Sequence, residues 1–454
     1  MSAGGRDRTP TQVLVLGGGL AGVATALQLG EEGVAVTLVD RNDYHQFQPL
    51  LYQVATSQLP AEDIARPHRT IFADYPSVEV VTADVVAANL SERTLRLSDG
   101  QTLSGSHLVM AAGARPNFFG VPGAAEHAFP LYSVADAERL RLHLQRLLRQ
   151  ATAGDAPAAG ALDVVVVGGG PTGVETAGAL GELMAALHET GRLDQPGQIT
   201  IVDRGSTLLA PFSDKAHDYA ARKLTEAGAT VKLGIGVTAV HPDRVEFDDG
   251  SEIPAGTVVW GGGESGSAVA QSAGPASGRG GRLDVRPDLT IDGYPGVYAV
   301  GDVANVPSSE GDAALPQLGS VAQQSGRWAA ENILREFRDE PRKPFAYKDK
   351  GIMAMIGRNA AVAEVGKRHH SVEGPVAFAA WLGLHAILLS GAHSKADAFL
   401  TWAWDYFDRD HAATLEASSA PRRIAWSEDE QDVPHISLEL GEPTSPTGEA
   451  SSCC

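Results

Sequence analysis

Cysteine is almost missing from this chain: 454 residues contain two, Cys453 and Cys454, at the tip of a Ser/Pro/Gly/Glu tail. A disulfide framework is excluded, and so is a redox-active cysteine pair in the body of the chain. The terminal pair reads as loose thiols, with lipidation or metal binding as the alternatives. Basic residues are short as well, 36 Lys and Arg against 56 Asp and Glu, for a net charge of −20. That balance argues against nucleic acid and against general attraction to anionic lipid. No run of about 18 apolar residues occurs, so no segment is expected to span a bilayer as a helix. The opening MSAGGRDRTP is polar and lacks the apolar core of a secretory signal, which places the body on the cytoplasmic side as an expectation. Aromatics make up only 6%. Even so, three of the six tryptophans (Trp381, Trp402 and Trp404) fall in one late segment.

Glycine is the residue in surplus, with 51, and it forms two fingerprints. VLVLGGGLAG carries Gly17, Gly19 and Gly22 in G-x-G-x-x-G register, and VVVVGGGPTG carries Gly168, Gly170 and Gly173 in the same register. Each follows a strand-like run and opens a helix. The glycines let the backbone turn tightly and approach a pyrophosphate, whose charge meets the positive end of the helix. Asp40 and Asp203 end the second strand of each unit, where a carboxylate accepts from ribose hydroxyls and repels a 2′-phosphate. FAD and NADH both fit the first unit. At the second, Asp203 favours NADH over NADPH, while the adjacent Arg204 could also reach a 2′-phosphate. Two such units in one chain predict two dinucleotides held face to face, the apparatus of a flavin enzyme reduced by a nicotinamide.

Three further features bear on that reading. Gly301 and Asp302 in YAVGDVA follow a strand, and a carboxylate on such a turn can bond ribityl hydroxyls; a plain Gly-Asp turn is the alternative. Gly113 sits where the apolar strand of LVMAAGARPNFFGVPG enters a Gly/Pro-rich turn, and it is grouped with the cofactor-facing glycines. Glu175 follows Gly173 closely. Either it serves the helix dipole in the first turn, or it projects toward the nicotinamide end of the cofactor.

The order of elements predicts an α/β protein in which one dinucleotide domain is interrupted by another and then resumed. The first part spans 10–150, the inserted domain 160–290 and the resumed part 291–345. Short strands are expected at Glu226–Lys232 and Val245–Phe247, and helices at Ala135–Gln150 and Val174–Glu189. Residues 346–411 begin with strand-like pieces. Pro375–Leu389 is an almost wholly apolar stretch, roughly 22 Å long as a helix and short of a bilayer core of about 30 Å. Ala396–Phe407 carries a helical apolar stripe. The segment 412–454 reads as a disordered acidic tail.

With these stretches in hand, the chain resembles a type II (non-proton-pumping) NADH:quinone dehydrogenase of the two-dinucleotide-binding flavoprotein superfamily. The resemblance rests on both fingerprints, DRNDYHQFQPLLYQVATSQL, AAGARPNFFGVPG, IPAGTVVW, GVYAVGDVA and YKDKGIMAMIGRNAAVAEVG, and covers roughly residues 12–410. It implies two Rossmann-like domains, an FAD domain interrupted by an NADH domain, with a C-terminal membrane-docking helical region. Glu175 then works at the nicotinamide–flavin contact. Hydride passes from NADH to flavin, and a quinone takes two electrons and two protons. The implied place is the cytoplasmic face of the cell membrane, as a peripheral protein.

Two departures from the family pattern stand out. Where the family has A-Q-x-A-x-Q on the quinone side of the flavin, this chain reads GSVAQQSG, so Ser320 replaces the first glutamine and Gln324 keeps the second. A shorter side chain there leaves a wider or wetter pocket. After VVW, the family's A-A-G is GGG at 261–263. The C-terminal aromatics suit an interfacial platform, with a homodimer interface or a core helix pair as alternatives. Between residues 367 and 411, four Lys/Arg face five Asp/Glu, so anionic lipid gives slight help. Two other functions stay open: a soluble NAD(P)H-dependent flavoprotein reductase with a non-quinone acceptor, and a slow-turnover flavin redox sensor.

Overall fold

The computed structural model describes residues 13–152, 160–274, 277–308, 314–366 and 370–388. The expected helix at Ala396–Phe407, the tail at 412–454 and the terminal cysteines lie outside the described residues.

Two five-stranded parallel sheets of matching order organise the chain. The first uses β1 (Val13–Leu16), β2 (Val36–Asp40), β3 (Val78–Thr82) and β4 (His107–Met110), with helix α1 (Leu20–Glu31) between β1 and β2. A short helix, α2 (Leu51–Ala55), follows β2 within FQPLLYQVAT. Strand β5 (Ala114–Pro116) leaves the first sheet, and β6 (Phe129–Pro130) and helix α3 (Val134–Thr152) lead to the second. That second sheet is built from β6, β7 (Val164–Val167), β8 (Ile199–Asp203), β9 (Ala229–Leu233) and β10 (Thr257–Trp260), with helices α4 (Pro171–Glu189) and α5 (Asp214–Glu226). Strand β11 (Glu264–Gly266) then pairs antiparallel with β5, and β12 (Val297–Ala299) returns to the first sheet beside β4. Spatial order is β12-β4-β1-β2-β3 in one sheet and β6-β10-β7-β8-β9 in the other.

Each sheet has a three-stranded antiparallel companion, at Val85–Ser104 for the first and Val237–Pro254 for the second. The interrupted and resumed order read from the sequence is what the sheets display. Its seam differs in detail, because β6 at Phe129–Pro130 already pairs with β10 of the second sheet.

Continuous apolar runs explain the central strands. Val13, Leu14, Val15, Val165 and Val166 have no exposed surface, as expected of strands covered on both faces. Helix α6 (Gly319–Phe337) lies across α1, and Gly326 makes the crossing close, since a Cβ there would overlap the carbonyl oxygen of Ala21. Thr25 Oγ1 donates to the carbonyls of both Ala21 and Gly326, at 2.9 and 3.0 Å. One expected element is corrected. Glu226 ends helix α5, and the strand foreseen at 226–232 begins at Ala229, after the turn at Gly228 with φ +85°.

The third part is an antiparallel sheet of β13 (Ile352–Gly357), β14 (Ala360–Val365) and β15 (His370–Glu373), covered by helix α7 (Pro375–Leu388). No described helix is long and apolar enough to cross a membrane.

Glu336, near the end of α6, ties that helix to the first sheet. Its carboxylate accepts from His107 Nε2 at 3.0 Å, from Arg342 at 3.1 Å and from the Tyr298 hydroxyl. Burial pushes this carboxyl up, but the three donors outweigh it and hold it down to about 2. A depressed carboxyl contributes stability above its unfolded value of 4.5 and loses it as pH falls toward 2. Glu336→Gln is therefore expected to lower the melting temperature at neutral pH, with the gap to wild type closing as pH falls from 4.5 to about 2. A gap independent of pH in thermal denaturation would contradict the assignment.

Candidate active site

The two fingerprints fold into one shape, repeated. Gly17 and Gly168 open them with φ of +105° and +111°, a region that L side chains avoid. A Cβ on either would overlap a carbonyl of the neighbouring strand's end, that of Ala111 or of Gly261. The third glycines, Gly22 and Gly173, press on the carbonyls of Gly17 and Gly168. The middle ones, Gly19 and Gly170, would meet nothing within 4 Å. Open space at a helix N-terminus, ringed by closely packed backbone, fits a pyrophosphate in both units.

The two aspartates match as well. Asp40 accepts from Gly18 N at 2.5 Å and Asn42 N at 2.7 Å, and Asp203 accepts from Gly169 N at 2.6 Å and Gly205 N at 2.5 Å. Each carboxylate braces its own loop and keeps lone pairs for ribose hydroxyls. Arg204 lies against Gly236, where an added Cβ would meet its Nε and Asp248 Oδ2.

The first unit has a feature the sequence reading missed. The Gly18 carbonyl meets two buried imidazoles, His45 Nδ1 at 2.9 Å and His68 Nε2 at 3.2 Å. With Asp40 on its N–H side, the Gly18 peptide is held from both ends. Burial lowers His45 to about 4 and keeps it neutral. The HQFQPL run announced His45; nothing in the pattern near His68 marked it.

Gly301 (φ +70°) and Asp302 form a tight turn after β12, with Gly301 N donating to Ser325 Oγ at 3.0 Å. Asp302 Oδ1 is buried and has no hydrogen-bond partner among the described residues. A buried acceptor without a donor calls for one from a ligand, and the ribityl chain of FAD has hydroxyls to give. Burial raises this carboxyl to about 6, with Arg282 pulling against the rise. Gly113 (φ +65°) faces the Tyr132 hydroxyl, which accepts from Ala114 N at 2.8 Å.

Glu175 stands where all three parts of the fold meet. Helix α4 begins at Pro171, so Glu175 lies beyond its first turn, and the helix-dipole reading loses its basis. Instead Oε1 accepts from Met355 N of β13 at 3.0 Å, and the Trp381 side chain of α7 donates to the carboxyl. Tyr52 of α2 completes the group. Its hydroxyl meets Met355 Sδ at 3.3 Å, and its ring packs edge-on to Trp381 at 6.4 Å. Burial raises Glu175 to about 8 despite these two donors. One turn on, His385 stacks on Trp381 at 3.8 Å and is held neutral by burial, at about 4.

Ser320 and Gln324 sit on the first turns of α6 and face the 347–348 segment. Ser320 Oγ pairs with the Tyr347 hydroxyl at 2.8 Å. Gln324 grips the backbone of Lys348 twice, at 3.0 Å each, donating to its carbonyl and accepting from its N–H. The space left by the shorter Ser320 is thus reached by a phenol from the facing segment. Among the described residues no cluster could hold a metal ion.

Comparison with known proteins agrees with the geometry. The pyridine nucleotide-disulphide oxidoreductase family model matches residues 11–326. The type II NADH:quinone oxidoreductase NdhA of Mycobacterium tuberculosis is 34% identical over 429 residues, covering 90% of this chain and 89% of that protein. The type II NADH:quinone oxidoreductase of Staphylococcus aureus is 30% identical over 363 residues, covering 78% and 89%. Among solved structures, NDH2 of Plasmodium falciparum in complex with NADH has the same fold, with a TM-score of 0.80 at 17% identity, covering 89% of this chain and all of that one. The chain belongs to the pyridine nucleotide-disulphide oxidoreductase family and, within it, to the type II NADH:quinone oxidoreductases.

The steric contrast within a fingerprint is testable. Gly170→Ala is expected to leave the melting temperature unchanged and to raise the KM for NADH roughly tenfold or more, because its Cβ enters only the open space. Gly173→Ala, whose Cβ strikes backbone, is expected to lower the melting temperature itself. Equal melting temperatures for the two variants would contradict this account of the loop.

Proposed function

We propose that the protein is an FAD-dependent NADH:quinone oxidoreductase that moves electrons without pumping protons. The observation that carries this reading is the pair of matched dinucleotide cradles in one compact unit, in a chain of this family. FAD, when bound, supplies a two-electron carrier between the hydride of NADH and the quinone. The residues of this chain bind, orient and shield. Gly17, Gly19, Gly22, Asp40, Gly113, Gly301 and Asp302 serve the FAD, and Gly168, Gly170, Gly173 and Asp203 serve NADH. Asp203 favours NADH over NADPH.

Glu175 acts at the junction of the two sites. As hydride leaves NADH, positive charge grows on the nicotinamide, and a nearby carboxylate in an enclosed site stabilises it. Held at about 8, the carboxyl is largely protonated at neutral pH and ionises just above it. The α6 face at Ser320 and Gln324, backed by Tyr347, forms the acceptor side. Peripheral attachment to the cytoplasmic face of the membrane fits the outer face of α7, where Val376 is 69% and Leu384 42% exposed. A homodimer through this same face is the other use for it.

The central experiment is stopped-flow reduction of the flavin by NADH, followed by mixing with a menaquinone or ubiquinone analogue. Fast reduction and fast reoxidation are expected. Fast reduction with no reoxidation by either quinone, but with turnover on another acceptor, would favour a soluble reductase. In the same assay the wild-type reduction rate is expected to rise with pH through about 8. Glu175→Gln is expected to be slower by roughly tenfold or more and flat with pH. Identical profiles for the two proteins would remove Glu175 from the hydride step.

A further inference from the structure

Glu264 opens β11, one residue past the GGG turn of the second sheet, and none of the roles above uses it. The ladder between β5 and β11 sets its direction. Glu264 lies opposite Pro116, while its neighbour Ser265 turns to the other face and meets Arg115 Nε at 3.4 Å. Alternation along a strand therefore sends Glu264 to the opposite face, and β11 packs against the Gly301–Val303 turn that carries Asp302. On that side Asp302 and Tyr132 lie within range of its charge.

The Glu264 side chain is exposed to solvent, yet enough protein surrounds it to penalise its charge. Such a side chain lines a cleft and not the outer surface. No hydrogen bond from the described residues offsets that penalty.

Two carboxyls that share one hollow do not both ionise cheaply. Burial raises Asp302 to about 6; burial and the charge of Asp302 together raise Glu264 to about 7. Arg282 decides how the pair divides. Its guanidinium donates to the carbonyls of Ala304 and Leu315, at 3.4 Å each, and it lowers Asp302 without being among the groups that shift Glu264. Arg279 and Asp284 stand near Arg282, and Arg115 and Gln271 pair on the Ser265 side of β11 at 2.9 Å. Asp302 is therefore the first of the two to ionise as pH rises, and Glu264 keeps its proton longer.

We propose that Glu264 is a further ligand of the FAD, a neutral carboxylic acid that donates its proton to the cofactor's ribityl–pyrophosphate chain beside Asp302. This rests on the cofactor reading above and adds a residue to it. The chemistry is complementary: that chain is rich in acceptors and anionic at its pyrophosphate, so a neutral Glu264 bonds to it and an ionised one repels it. Affinity for FAD is then full below the free-state value of about 7 and falls as pH rises past it. For one proton the fall is at most tenfold per pH unit, or roughly tenfold between about pH 7 and 8.5.

The test is equilibrium FAD binding to the full chain, followed by flavin fluorescence from about pH 6 to 8.5, for wild type, Glu264→Gln and Glu264→Ala. Wild-type Kd is expected to rise by up to roughly thirtyfold over that range, as one-proton linkage about the free-state value of about 7 requires. Glu264→Gln, neutral at every pH and still a donor, is expected to hold the low-pH affinity throughout. Glu264→Ala is expected to bind more weakly at every pH, with a flat profile. Melting curves of the apo proteins separate loss of a ligand from loss of the fold, and Glu264→Ala carries the test if Glu264→Gln fails to fold. A slope in either variant equal to wild type overturns the proposal. So does a slope that persists in Glu264→Gln and vanishes in Asp302→Asn, which would put the proton on Asp302. Absence of FAD binding by wild type at all pH values would instead strike the cofactor reading.

Discussion

A single exposed strand edge governs how the three parts of this protein are held together. Strand β13 pairs with β14 on one side only, and its other edge meets helix α4 of the NADH domain. Unpaired edge amides are costly to bury. Here Glu175 receives the Met355 N–H, and Glu182 receives the N–H of Arg358. Gly178, between them on the same helix face, lets the helix come so close that a Cβ would overlap the Ile356 carbonyl. Positions 175, 178 and 182 recur at the spacing of one helical face, so one helix closes the whole edge. Glu364 repeats the device from the other direction, accepting from Ser213 N at the start of α5.

The consequences reach the chemistry. With the C-terminal sheet pinned to α4, α7 is positioned so that Trp381 lies over Glu175 and against Tyr52 of the FAD domain. The carboxyl is thereby enclosed by all three parts, and enclosure is what raises it toward neutral pH. Structural anchor and candidate catalytic group are one side chain. Burial favours the proton on Glu175, while the Met355 N–H at the strand edge and the Trp381 indole pull against it.

The matched cradles show a second economy. Both domains use a positive-φ glycine, an open middle glycine and an aspartate that braces the loop. Their surroundings then make them differ. The first has the imidazoles of His45 and His68 on the Gly18 carbonyl. The second faces the junction at Glu175.

The glycine fingerprints, the aspartates that brace them, the Gly-Asp turn and the family were all legible in the sequence, because each depends on local backbone geometry. Only glycine tolerates those φ values and contacts, so residue type reports conformation directly. The partners of Glu175, the grip of Gln324 on Lys348 and the inward turn of Glu264 were not legible. They join residues 24 to 206 positions apart or depend on strand register, and a carboxylate looks the same in sequence whether it caps a helix, closes a strand edge or waits for a cofactor. The sequence by itself determined that this chain holds two dinucleotides. Tertiary packing alone decided which carboxyls are buried beside them and therefore which carry a proton, because burial is a property of the assembled fold.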